Sequence, residues 1–217
     1  MTIASHTICK NSMPFIGRVL RQVAPYMDKM FITISQHSTD GTHDEVMKFI
    51  RETKTLVEFA YEGETNPANL TRVRQFQVDH TKQDWILFLD DDDYWPRGEL
   101  EACLKELDRE PEVLAYSVSP YQLIDFEHYD ASWNKKSFSK FLRTAGLRYA
   151  GPWPRDLPCD AQGQPLYWKT HPQVRTLPQR FYHLGLLKHH SFRKEDWAKK
   201  FAYKVGRPEK LTEPFQL

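Results

Sequence analysis

Cysteine, glycine and net charge are all scarce in this 217-residue chain, and each scarcity removes a class of protein. Cys9, Cys103 and Cys159 are odd in number and form no CxxC pair, which argues against a disulfide framework or a cysteine-built zinc site. Thirty basic residues stand against twenty-nine acidic ones, so the net charge of +1 offers no global field for nucleic acid or an anionic membrane. No apolar run approaches the roughly 20 residues that span a bilayer, and no basic-then-apolar leader opens the chain. The expectation is a soluble, cytoplasmic protein. Internal repeats and low-complexity segments are also lacking.

What is present is an alternation of strand and helix patterns. Thr2 to Cys9 reads as a buried strand, and Phe15, Ile16, Val19, Leu20 and Val23 follow at helical spacing up to Pro25. Met30 to Ile34 is a second strand, closed by the turn-rich SQHSTDGT. Thr42 to Lys54 is helical, Leu56 to Tyr61 a third strand, Asn69 to Lys82 another helix and Trp85 to Leu89 a fourth strand. Leu100, Cys103, Leu104 and Leu107 mark the next helix. Such alternation predicts an α/β fold with a mainly parallel sheet, whose ligands bind beyond the carboxyl ends of the strands. Past Tyr121 the pattern loosens. Between Ala150 and Pro178 lie six of the fourteen prolines, together with tryptophans and tyrosines, which predicts an ordered binding loop.

The fourth strand ends in WILFLDDDDYWP. A run of like charges is ordinarily a solvated face, but an apolar strand of the kind buried on both sides delivers Asp90, Asp91, Asp92 and Asp93 to one point at the sheet edge. Anions crowded within a few ångströms repel unless a cation neutralises them. Oxygen ligands suit Mg²⁺ or Mn²⁺, which also take substrate phosphates. A metal clamping a diphosphate to these carboxylates would stabilise charge on a departing nucleotide.

At this point the sequence resembles a known family. LDDDDYW is similar to the D-x-D motif of GT-A-fold glycosyltransferases, family two in particular. ICKNSMPFI (Ile8 to Ile16) resembles the close of that family's first strand, and SQHSTDGT (Ser35 to Thr42) its D-x-G-S-T-D-G-T turn. Arg74, in TRVRQFQ, stands where an arginine precedes the aspartates by one helix. The resemblance covers about the first half of the chain. It implies a GT-A-like fold over residues 1–217, with residues 1–120 binding a nucleotide-diphospho-sugar donor and 121–217 forming the acceptor side. It implies a Mn²⁺ or Mg²⁺ cofactor and hexosyl transfer, with inversion, to an acceptor carbohydrate, lipid-linked sugar or modified nucleic acid.

Roles follow from the same resemblance. Asp92 is the expected metal ligand, with Asp90 on the metal or the ribose, Asp93 supporting and Asp91 beside the cofactor. Ile8 and Lys10 border the nucleotide. Arg74 approaches the diphosphate, with Arg72 as competitor because helix phase decides which faces inward. The family's base-reading aspartate is replaced by Ser35 and Gln36, and Gln36 can still donate and accept hydrogen bonds. Asp40 is expected to close the turn before Thr42. His183, in FYHLG, is a candidate to complete the metal sphere. KFLRTAGLRYAGPWPRDLP (Lys140 to Pro158) resembles the acceptor-side segment and makes Asp156 the candidate base, with Asp125 and Asp160 as substitutes. Trp133, Trp153 and Trp168 are candidates to stack on sugars or to pack under the loop. A basic stretch from Lys188 to Lys200 reads as a solvated face that could meet an anionic acceptor.

Three rival readings compete. A nucleotidyltransferase needs a basic, glycine-rich loop after the first strand, which KNSMPFIG lacks. A D-x-D phosphatase needs a threonine where Trp95 and Pro96 stand. A non-catalytic module of the same fold, binding a nucleotide or glycan, remains the main alternative.

Overall fold

A computed structural model describes residues 1–63, 69–151, 157–167, 169–185, 187, 208–213 and 215. Strands β1 (Ile3–Cys9), β2 (Lys29–Ser35), β3 (Leu56–Glu62) and β4 (Trp85–Phe88) alternate with helices α1 (Ile16–Val23), α2 (Thr42–Glu52) and α3 (Leu70–Asp79). Then come β5 (Asp93–Tyr94), α4 (Arg97–Glu106), β6 (Ala115–Gln122), β7 (His128–Asp130), β8 (Phe138–Arg143), β9 (Arg148–Ala150), β10 (Leu157–Cys159), β11 (Val174–His183) and β12 (Pro208–Lys210). One eight-stranded sheet runs β3-β2-β1-β4-β8-β6-β11-β5. β1 to β4 are mutually parallel, β6 and β11 pair in parallel, and β8 and β5 run antiparallel to their neighbours. The α/β class with a mainly parallel sheet is therefore as expected. The region after Tyr121 is more regular than expected. It supplies β8, which lies between β4 and β6, and β11, whose residues include the end of the proline-rich stretch.

Sequence order and sheet order together force the sheet to curl. β4 and β5 are four spacings apart in the sheet, about 19 Å if it were flat. The chain between them is short and contains a turn, closed by the Asp93 N–H donating to the Asp90 carbonyl at 3.1 Å. Such a connection reaches about 14 Å at most. The far edge must bend back towards β4, and the aspartates lie in the bend.

Each sheet face is filled by the pattern that predicts it. Along β4, Leu87 faces the larger cluster and Ile86 the smaller one, as strand alternation requires. The larger cluster takes Ile16, Val19, Leu20 and Val23 of α1, Val46 and Phe49 of α2, and Leu100 and Cys103 of α4. The smaller takes Val78 of α3 with Leu142, Tyr149 and Leu166. Gly17 permits close packing of α1 on α2: a Cβ there would lie 2.0 Å from Glu45 Oε1, in the space that the 2.6 Å Arg21–Glu45 ion pair occupies. Behind the aspartates, Trp95 stacks on Phe181 at 5.1 Å and meets Phe141 edge-on at 5.4 Å, all three fully buried. Phe141, on the inserted β8, ties the two parallel sections together. Phe141→Ala is expected to cost about 3–5 kcal/mol, the usual range for emptying a buried aromatic site. Urea unfolding followed by tryptophan fluorescence measures the loss; a midpoint unchanged from wild type contradicts this account of the core.

Candidate active site

Two loops at the carboxyl ends of β1 and β2 are tied to each other and to the aspartates. Asp40 accepts from Thr42 N at 3.1 Å and from Met13 N at 2.9 Å, so it closes the turn before α2 as expected and also anchors the loop after β1. Asn11 Oδ1 accepts from Thr39 N at 2.8 Å, and Thr42 Oγ1 accepts from Ser12 N at 2.6 Å. Ser12, thus fixed, donates its hydroxyl to Asp91. KNS and STDGT are therefore two halves of one support for the acidic run.

The four aspartates separate into distinct environments. Asp90 accepts from Lys140 Nζ at 2.7 Å and has Arg74 Nη2 at 4.0 Å. Asp93 is fully buried and accepts from the same Lys140, whose side chain is 3% exposed. His183 pairs across the β5–β11 ladder, with Nδ1 3.0 Å from Asp93 and 3.4 Å from Asp92. The ladder continues as the Leu184 N–H donates to the Asp92 carbonyl at 2.8 Å.

Charge compensation explains this arrangement. Burial works against ionisation of Asp90, but Lys140 and then Arg74 outweigh it and hold the carboxyl below the usual aspartate range. Burial likewise opposes the Lys140 charge, yet Asp90 and Asp93 keep its ammonium above the ordinary lysine value. For His183, burial pulls downward while Asp92 and Asp93 pull harder upward, leaving it at about 9 and protonated at neutral pH. The crowding that the sequence appeared to reserve for a metal is thus met in large part by protein cations. Lys140 is the residue that sequence reading missed. KSFSKFLR alternates like a half-exposed strand, and nothing local signals that its lysine is buried against carboxylates 47 and 50 residues away.

Two cavities meet at Asp90. The smaller, about 230 Å³, is lined by Ile8, Lys10, Arg74, Asp90 and Asp91, with His6 and Gln77 at its base. His6 is held neutral, at about 3, by burial and then by the nearby Arg74. The larger, about 610 Å³, shares Arg74, Phe88 and Asp90 and opens towards Phe138, Tyr149, Leu157 and Tyr167. Arg74, with its guanidinium 3.9 Å from the Phe88 ring centroid, is the arginine that faces inward. Arg72 points away and pairs with Glu62 at 2.6 Å. Gln36 is exposed at the end of β2, where its N–H donates to the Glu62 carbonyl, and it lines neither cavity.

A divalent cation has a fitting donor set among the described residues. One ligand atom each from Asp92, Asp93 and His183 lie within 4.8 Å of one another. Gly185 keeps space beside them, since a Cβ there would approach His183 Nε2 to 2.9 Å and Asp92 Oδ2 to 3.2 Å. Oxygen and imidazole together favour Mn²⁺ over Mg²⁺. Asp90 lies outside this group, turned to Lys140 and Arg74. Trp133 stacks on His183 at 6.1 Å and carries Lys136 on its ring at 3.7 Å. Asp125 and Asp160 are engaged in turns: Asp125 accepts from Glu127 N and His128 N, and Asp160 from Gln162 N and Gln164 N. Neither lines either of the two cavities that meet at Asp90. Asp156, Trp153, Trp168 and the basic stretch from Lys188 to Lys200 lie outside the described residues.

Two stability outcomes follow. Lys140→Met leaves Asp93 buried without its ammonium and is expected to cost about 3–5 kcal/mol, much of it recovered when Asp93→Asn is added. Equal losses in the single and double variants, by urea titration, would contradict the pairing. In chelator, the stabilisation from protonated His183 is complete below about pH 6.5 and is lost as pH rises through about 9. The melting temperature of the wild type should therefore fall over that window more steeply than that of His183→Gln.

Comparison with known proteins places the fold. S. aureus TarS 1–349 superimposes with a TM-score of 0.57 at 16% identity, covering 94% of this chain and 76% of that one. Its complex with UDP-GlcNAc gives 0.57 at 18%, covering 84% and 58%. The mannosyltransferase PcManGT of Pyrobaculum calidifontis, in complex with GDP-Man and Mn²⁺, gives 0.54 at 15%, covering 83% and 56%. The match covers only 36% of the longer TarS chain. No curated protein matches the sequence. Among the described residues, no helix is long and apolar enough to cross a membrane. The sequence model of glycosyl transferase family 2 matches residues 7–170, well over half of the chain. With its curled GT-A-like sheet and the aspartates at the carboxyl end of β4, the chain belongs to glycosyl transferase family 2.

Proposed function

We propose that this protein transfers a sugar, a hexose by our reading, from a nucleotide-diphospho-sugar to an acceptor hydroxyl with inversion, using a divalent metal ion. One observation carries the reading. In a family 2 chain, the strand-end aspartates divide between a small polar cavity lined by Ile8, Lys10, Arg74, Asp90 and Asp91 and an Asp92–Asp93–His183 cluster with metal-ligating geometry. Support for the donor class comes from the neighbours of the same fold, TarS in complex with UDP-GlcNAc and PcManGT in complex with GDP-Man and Mn²⁺.

In this reading the nucleotide enters the smaller cavity. Arg74 is already aimed at the point where both cavities meet, and its guanidinium matches paired phosphate oxygens. Asp90 and Asp91 lie on the ribose side. Gln36 and Arg72 take part only at the outer rim of the base pocket, near Glu62. Asp92 and His183, with Asp93 behind them, would hold Mn²⁺ or Mg²⁺. When bound, such an ion offsets negative charge on the leaving diphosphate. Lys140 holds Asp90 and Asp93 in place, so the site needs little reorganisation as charge develops. The acceptor approaches through the larger cavity. We assign its deprotonation to Asp156, since inverting transfer needs a carboxylate on the side opposite the leaving group.

Asp92→Ala is expected to lower Mn²⁺-dependent hydrolysis of UDP- and GDP-sugars by about 10²-fold or more, in the range typical of losing charge stabilisation at a reacting centre, with the fold retained by circular dichroism. Excess chelator should do the same to the wild type. Full turnover in chelator, or a panel of nucleotide sugars that neither binds nor is hydrolysed with Mn²⁺ present, would overturn the reading.

A further inference from the structure

The walls of the larger cavity carry a charge that the proposed donor does not account for. Among the described residues, five cationic side chains, Arg74, Lys135, Lys136, Lys140 and Lys169, line it against one carboxylate, Asp90. In a chain of net charge +1 that is a concentrated excess. Lys140 is held between Asp90 and Asp93, Arg74 lies where the two cavities join, and Lys136 stands over the Trp133 ring. Lys135, Lys136 and Lys169 are exposed at the cavity rim and come from two separate stretches of chain. Lys135 and Lys136 close the 3₁₀ turn before β8, and Lys169 lies in a turn after Tyr167.

Two further features belong to the same cavity. Ser137 is 6% exposed on its wall, and its buried hydroxyl has no hydrogen-bond partner among the described residues. Phe138, Leu157 and Tyr167 also line it, at 41%, 38% and 41% exposure, although large apolar side chains this open to water are few among the described residues. An apolar, partly aromatic wall receives a hydrocarbon body or the C–H face of a ring. Converging ammonium groups are compact point charges that suit the several oxygens of a phosphate. The volume of about 610 Å³ suits a small molecule carrying both.

We infer that the larger cavity binds a phosphate ester through Lys135, Lys136 and Lys169, with the body of the ester on Phe138, Leu157 and Tyr167. Naming that ester as the acceptor rests on the proposed transfer reaction; the binding site itself does not. The donor diphosphate belongs on the other side of Asp90, among Lys10, Arg74 and Asp91, so the lysines at this rim serve a second anion.

Two probe pairs test this by titration calorimetry, glucose 6-phosphate against glucose and farnesyl phosphate against farnesol. Each is run with the wild type and with the K135Q/K136Q/K169Q variant. In at least one pair the phosphate-bearing member should bind about tenfold or more tightly than its neutral counterpart, and the variant should lose that preference. The pair that responds identifies the source as a soluble sugar phosphate or a lipid phosphate. The three lysines are exposed, so an unchanged melting temperature serves as the folding control. Equal binding of both members in both pairs overturns the inference. So does a preference that survives in the variant, which would place the phosphate on Arg74 or Lys10. Phosphate preference in a protein that neither binds nor hydrolyses nucleotide sugars with Mn²⁺ would sink the transferase reading and leave this site standing.

Discussion

A single buried ammonium holds this site together. Lys140 reaches from β8 to Asp90 and Asp93, and without it the chain would bury the Asp93 carboxylate with no ammonium beside it. Desolvation makes such a pairing a poor source of net stability, since replacing it wholesale by apolar groups would cost little. What it provides is position. Asp90 is turned to one cavity wall, and Asp93 is directed towards His183, so a run of four identical residues becomes four groups with different neighbours. Ser12 fixes the orientation of Asp91, and the Leu184–Asp92 backbone bond fixes the last of them.

The cations around this cluster fall into two kinds. Lys140 and Arg74 belong to the folded chain and are in place before any ligand arrives. His183 is conditional, because its protonated ring compensates the same carboxylates that, with its proton gone, it would join as a metal ligand. Metal binding at such a cluster exchanges one positive charge for another. The carboxylates therefore have a counter-charge in either state.

The first half of the fold was legible because β1, β2 and β4 are buried on both faces and its helices follow a 3.6-residue period, so type and order could be read from apolar spacing alone. Asp40 was legible as a turn-closing residue for a local reason: its partners lie within the same short loop system. Arg74 against Arg72 was not, because two residues on one helix differ only in which wall they meet, and the wall is set by Phe88 and Glu62 from other strands. The same reason hid β8 and Lys140, whose partners lie far away in sequence. Gln36 was placed at the nucleotide by position in a motif, whereas the fold leaves it at the rim beside Glu62. Motif spacing locates a loop; it does not say which of its side chains turn inward.

The curl of the sheet has a consequence for how the protein can be divided. β8 lies between β4 and β6, and β5 pairs with β11, its one sheet neighbour among the described residues, so strands from before and after residue 120 interleave instead of forming two blocks. A cut at that point would strip β4 of one flank and leave the dipeptide carrying Asp93 with nothing to pair against. Catalytic geometry here is a property of ring closure, completed only when the last strand of the curl docks. An evolutionary or engineered exchange of segments after residue 120 must therefore preserve that closing strand, or it will disrupt the aspartate cluster as well.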